Sequence, residues 1–179
     1  MRSYVRAKDV RRHMKRLLSD WFLERDWRKR TGYSCAFVRE DMVFWVQPSQ
    51  WGDSWSGSSL ALNLAKSESS ELIAGDRILQ HLDTTSRKDG LALEERIVSR
   101  IPLPENDHYI YRFMELPGHE GQMFRDSFEQ AFKATPICWE PGYDIWLRYF
   151  STDDLDEWTE FLLPRLDSLI EQWRPLGSA

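Results

Sequence analysis

Cysteine is scarce: Cys35 and Cys138 are the only two in 179 residues, and they lie far apart. There is no CxxC pair and no Cys/His spacing of zinc type, which excludes a zinc finger or ribbon. Cys35-Ala36-Phe37 and Ile137-Cys138-Trp139 are apolar surroundings, so both cysteines read as small buried hydrophobes, reduced in a cytosol. No window approaches the roughly 18 uninterrupted apolar residues of a membrane-spanning helix. The opening Met1-Arg2-Ser3-Tyr4-Val5-Arg6 has no apolar stretch of secretory type, so the expected location is cytoplasmic and away from membranes. Chemical motifs are missing too. There is no glycine-rich phosphate loop, no GxSxG and no HExxH. Of His13, His81, His108 and His119, no two stand three or four apart, as one helix face would need to hold a metal. The expectation is therefore no metal, no cofactor and no catalytic constellation.

The chain is rich in aromatics, which are 13% of residues and include nine Trp, within an apolar fraction of 41%. That is ample for a core and excludes wholesale disorder. The length suits a single domain over 1–179, with 1–6 and 175–179 frayed. Charge is unevenly placed. Residues 1–30 hold eleven Lys/Arg and four Asp/Glu, while the other 149 hold thirteen and twenty-five, giving +7 on one part and −12 on the other. A basic end on an acidic body either docks on its own body or meets an anionic partner.

Periodicity predicts a helix over 7–25, with Val10, Met14, Leu17, Leu18 and Trp21 on an apolar stripe. Lys8, Arg11, Arg12 and Lys15 recur on another face and, with Arg28, Lys29 and Arg30, form the candidate anion-binding set. Trp27 to Arg30 reads as an edge strand, and Cys35–Arg39 and Met42–Gln47 as a hairpin. The unbroken apolar run Met42–Val46 marks a strand covered on both faces. Ser58–Ala65 alternates, with Leu60, Leu62 and Leu64 on one face and Ala61, Asn63 and Ala65 on the other. Asp76–Leu82 and Leu91–Ile101 are expected to be helical, punctuated by Gly75 and Gly90. A helix is expected over 119–133 and a strand within Tyr143–Phe150. Acidic residues after Ser151 then start a helix whose stripe runs from Leu155 to Trp173, kinked or split at Pro164. The fold class is α+β: an antiparallel sheet of about four to six strands packed against helices, with N- and C-terminal helices flanking it.

The loop Pro48–Gly57 is polar yet carries two tryptophans, which makes Gln50, Trp51, Asp53 and Trp55 a candidate protein-binding site. Several of these segments also carry a resemblance. Trp27-Arg28-Lys29-Arg30, Phe37-Val38-Arg39, Phe44-Trp45-Val46-Gln47, Ser49-Gln50-Trp51-Gly52 and Leu62-Asn63-Leu64 resemble the bacterial domain of unknown function 4304, over about residues 10–65. The chain departs from that pattern in its longer Trp55-containing loop. The resemblance implies no activity. By analogy with small acidic bacterial α+β domains, it points toward interaction or immunity-type proteins.

The leading expectation is thus a non-enzymatic protein-interaction domain, of which an immunity-type inhibitor bound to a toxin is one form. Its partner is an unidentified protein, and it is a monomer or homodimer. The alternatives are nucleic-acid binding through the basic helix, disfavoured by a pI near 5.4, and a hydrolase using His108, Glu115, His119 and Glu120 around Pro117-Gly118.

Overall fold

The computed structural model describes residues 5, 7–33, 35–48, 58–66, 75–100, 139 and 145–173. The expected helix over 119–133, the loop with Gln50, Trp51, Asp53 and Trp55, Cys138, and His108, Glu115, His119 and Glu120 lie outside the described residues.

Helix α1 (Ala7–Leu23) forms because Val10, Met14, Leu18 and Phe22 recur at four-residue steps and can be buried together. It ends where Asp26 takes a left-handed φ of 63° and the Trp27 N–H returns to the Phe22 carbonyl at 3.1 Å. That reversal seats Trp27 in the core and starts a meander of β1 (Arg28–Lys29), β2 (Ala36–Arg39), β3 (Met42–Pro48) and β4 (Ser58–Lys66). The β2–β3 turn is tight: Arg39 pairs with Met42, and Glu40 takes a φ of 52°.

The outer edge of β4 is divided between two short strands. Leu147–Tyr149 (β6) pairs with Ser58–Leu60, and Asp76–Arg77 (β5) pairs with Asn63 and Leu64. All pairings in this six-stranded sheet are antiparallel. Helices α2 (Thr84–Arg100) and α3 (Thr152–Gln172) complete the described elements, so the protein is α+β as the sequence predicts.

Strand alternation assigns the two sheet faces. Phe37, Phe44, Val46, Leu60, Leu62 and Leu64 join the buried residues of the three helices in one core. Ala36, Val43, Trp45 and Ala65 cluster separately on the other face. Both faces of the β3 run are thus covered, as its lack of alternation implies.

Two expectations need correction, and a third is narrowed. Asp76–Leu82 is not one helix. Its first two residues extend β4's partner row, and only Ile78–His81 makes a 3₁₀ turn. Gly90 is not punctuation. It lies inside α2, which starts earlier because Asp83 caps it: Oδ1 accepts the N–H groups of Thr85 and Ser86, each at 2.9 Å. The glycine is required because the ring of Trp139 occupies the space of a Cβ there. Of the two forms expected at Pro164, a kink or a split, the split does not occur. α3 runs through Pro164 as one element, because Leu155, Trp158, Leu162, Leu166 and Leu169 bury one continuous stripe on both sides of it. Its start is as expected, with the Asp154 carboxylate accepting the N–H groups of Phe150 and Ser151 at 2.8 Å each.

Candidate functional site

The two flanks of α1 differ in what their charges meet. On the flank toward α3, His13 Nε2 lies 2.8 Å from Asp156 Oδ1, and Arg16 lies 4.0 Å from the same carboxylate. Just past the end of α1, Arg25 grips Asp167 through Nε and Nη2 at 3.0 and 3.1 Å and stacks on Trp21 at 4.1 Å. Part of the basic end therefore docks on the acidic body.

On the other flank, Lys8, Arg11 and Lys15 have no carboxylate within ion-pair distance among the described residues. Arg12 reaches only Asp9 of its own helix, at 3.3 Å, and its side chain is 79% exposed. Such a pair is worth roughly 0.3–0.5 kcal/mol, too little to commit the guanidinium. Arg11 and Lys15 lie close enough to Cys35 to favour its thiolate. Burial outweighs them and pushes the thiol up to about 12, so Cys35 is protonated and unreactive.

The basic run after α1 does not act as one patch. Lys29 pairs with Phe37, whose ring is in the helix-side core, so Lys29 shares the side of the sheet that α1 covers. Arg28 pairs with Val38 and points to the opposite side, and the Arg30 guanidinium stacks on Tyr33 at 4.8 Å. Of the seven cations singled out in the sequence, the structure places five on one side: Lys8, Arg11, Arg12 and Lys15 on α1, and Lys29 on the edge strand.

Two polar clusters escaped the sequence reading. On the second sheet face, Arg77 Nη1 donates to Gln47 Oε1 at 2.8 Å and to Asn63 Oδ1, while Asn63 Nδ2 donates to Gln47 Oε1 at 3.3 Å. Arg77 also stacks on Trp146 at 4.7 Å. This row across β3, β4 and β5 pins the register, since a one-residue slip would turn buried Asn63 into the leucine-lined core.

The second cluster surrounds Glu94 on α2, which has no exposed surface. Its Oε2 accepts the Trp139 indole N–H. Burial raises its carboxyl to about 7, against the opposing pull of the Trp139 bond and of Arg148. A signal for Glu94 does exist in the sequence: Gly90, Glu94 and Ile97 follow helical spacing, which places the acid on the buried stripe.

Among the described residues no group of three or more His, Cys, Asp or Glu could hold a metal, and no helix is long and apolar enough to cross a membrane. The chain matches no family model, and no curated protein and no solved structure matches it.

Proposed function

We propose that the chain is a non-enzymatic protein-interaction domain that holds an acidic protein surface against the Lys8–Lys15 flank of α1. One observation carries this reading: on one flank of α1 His13 and Arg16 meet Asp156 of α3, while on the other Lys8, Arg11 and Lys15 meet no carboxylate among the described residues. Lys8, Arg11, Arg12 and Lys15 span two turns at helical spacing, with Lys29 on the same side of the sheet. A partner that brings carboxylates to them gains charge-assisted hydrogen bonds and faster encounter. The edge strand beside them is only two residues long, and both are charged, which disfavours strand addition as the mode of contact. An immunity-type inhibitor covering a toxin is one form of such a domain.

Nucleic acid is the second reading. It fits less well, because the 149 residues after the first 30 carry a net charge of −12, and a long phosphate backbone would run along that body.

The test is co-purification with the full chain, with and without nuclease, over a salt ladder. Wild type is compared with a Lys8→Glu/Arg11→Glu/Lys15→Glu variant and an Arg28→Glu control. The expected result is a nuclease-resistant acidic protein that the triple variant loses and the control keeps. Equal retention by the triple variant overturns the assignment. Release by nuclease moves it to nucleic acid.

A further inference from the structure

We propose that Glu94, Trp139 and Arg148 form a proton-operated catch, in which neutral Glu94 keeps Trp139 seated between α2 and α3 and loss of the proton loosens that seat. This inference does not depend on the reading of α1.

Trp139 is held from every side that the described residues show. Its ring lies against Gly90 of α2, where a Cβ would overlap it. On α3 it stacks on Trp158 with ring centroids 6.1 Å apart and meets Phe161 edge-on at 6.3 Å. Its carbonyl accepts a 2.6 Å bond from Arg87 Nη1, and its indole N–H donates to Glu94. Arg87 Nε in turn donates to the Leu82 carbonyl at 2.8 Å, and its Nη2 donates to that of Gln80, so this guanidinium is occupied by main-chain oxygens. The tryptophan thus ties α2 to α3, and Trp158 extends the tie to β6 by donating to the Arg148 carbonyl at 2.6 Å.

At the centre sits a carboxyl group that is completely enclosed. Glu94 Oε1 is sealed from solvent, and among the described residues it has no partner at close hydrogen-bond geometry. Arg148 on β6 is the cation that acts on it, and the Arg148 main-chain N–H also favours the charged form. Arg148 is itself half-buried, and its own desolvation weakens the help it gives. Other charged or titratable groups on the packed elements are spent elsewhere. Asp154 and Glu157 of α3 bind Arg100 and Arg96, and Asp89 and Arg165 bind each other at 3.1 Å.

An ionised carboxylate in a site sealed from solvent costs far more than a neutral carboxyl. The proton is therefore retained up to about pH 7, well above the usual carboxylate range, because burial outweighs the indole and Arg148. Above that pH the enclosed state bears a charge that opening would rehydrate. Trp139 is the piece whose departure would admit water.

Hydrogen exchange of the full chain from pH 5 to 8, corrected for intrinsic rates, tests this. In wild type, protection of α2 and β6 amides is expected to fall by up to tenfold per pH unit toward pH 7 and then level off, while α1 and β2–β3 stay constant. Glu94→Gln should flatten the α2 and β6 profile. Trp139→Phe removes the indole donor that favours the charged form, so the pH at which its profile levels off should move upward. The catch is overturned if Glu94→Gln follows wild type, if the Trp139→Phe profile levels off at the same pH as wild type, or if α1 and β2–β3 lose protection in parallel with α2.

Discussion

Two aromatic clusters hold this molecule together, and they are built on different principles. Around Phe22 the core is built of rings, with the Arg39 guanidinium over the outer one, Trp27, at 4.9 Å. Phe22 stacks on Phe37 at 4.3 Å, leans on Phe44 at 4.7 Å and meets Trp27 edge-on at 5.2 Å. Among the described residues no carboxylate hydrogen-bonds these rings. Around Trp139 the rings are as well packed, but the contacts include buried Glu94, Arg87 and Arg148. The first cluster draws on apolar burial, which is insensitive to pH and indifferent to exact partners. The second draws on hydrogen bonds in a low dielectric, which are directional and depend on protonation. The first therefore sets how stable the fold is, and the second sets under which conditions.

Phe22→Ala should cause the largest loss, roughly 3–5 kcal/mol, since it empties the middle of a four-ring stack. Urea unfolding should show that loss equally at pH 5 and pH 8. A strong pH dependence would blur the contrast between the clusters.

Glu94→Gln comes next. Glu94 binds its proton more tightly in the folded state, so its stabilising share is full below about pH 4.5 and gone above about 7. A shift from 4.5 to about 7 corresponds to roughly 3 kcal/mol, an upper figure given the relaxation a buried group allows. The difference in unfolding free energy between wild type and Glu94→Gln should therefore change by up to that amount across this window. A flat difference would remove Glu94 from the account.

Gly90→Ala is the smallest and the sharpest. In an exposed helix the change would gain up to about 1 kcal/mol. Here the added methyl meets the Trp139 ring, so a loss of about 1–3 kcal/mol is expected by calorimetry. A gain would mean that Trp139 does not rest on that position.

Most of the scaffold was legible because its signals are local. Val10, Met14 and Leu18 announce α1, Leu60, Leu62 and Leu64 announce β4, and Ser151 with Asp154 announces the start of α3. Each is a short-range pattern tied to one element's period. The failures came where a distant residue decides. Gly90 looks like a break until Trp139, about fifty residues on, fills the space above it. Asp76 and Arg77 follow no strand pattern, and they are strand because Asn63 and Leu64 offer them an open edge. The candidate site was half legible. Helical spacing puts Lys8, Arg11, Arg12 and Lys15 on one helix, and all four fall within α1. Adjacency in sequence then joined Arg28 and Lys29, which a strand sends to opposite sides.

The divided edge of β4 has a consequence for the order of assembly. Pro48 and Leu60, which pair across β3 and β4, are separated by about a dozen residues, whereas Ser58 meets Tyr149 across about ninety. Closing the longer span costs more chain entropy and takes longer to find, so the meander from β1 to β4 condenses first and offers β6 a ready template. Until β6 arrives, Ser58 to Leu60 present an unpaired strand edge with a leucine on it. During synthesis or refolding, that short-lived edge is where one molecule would be captured by another instead of by its own later strand.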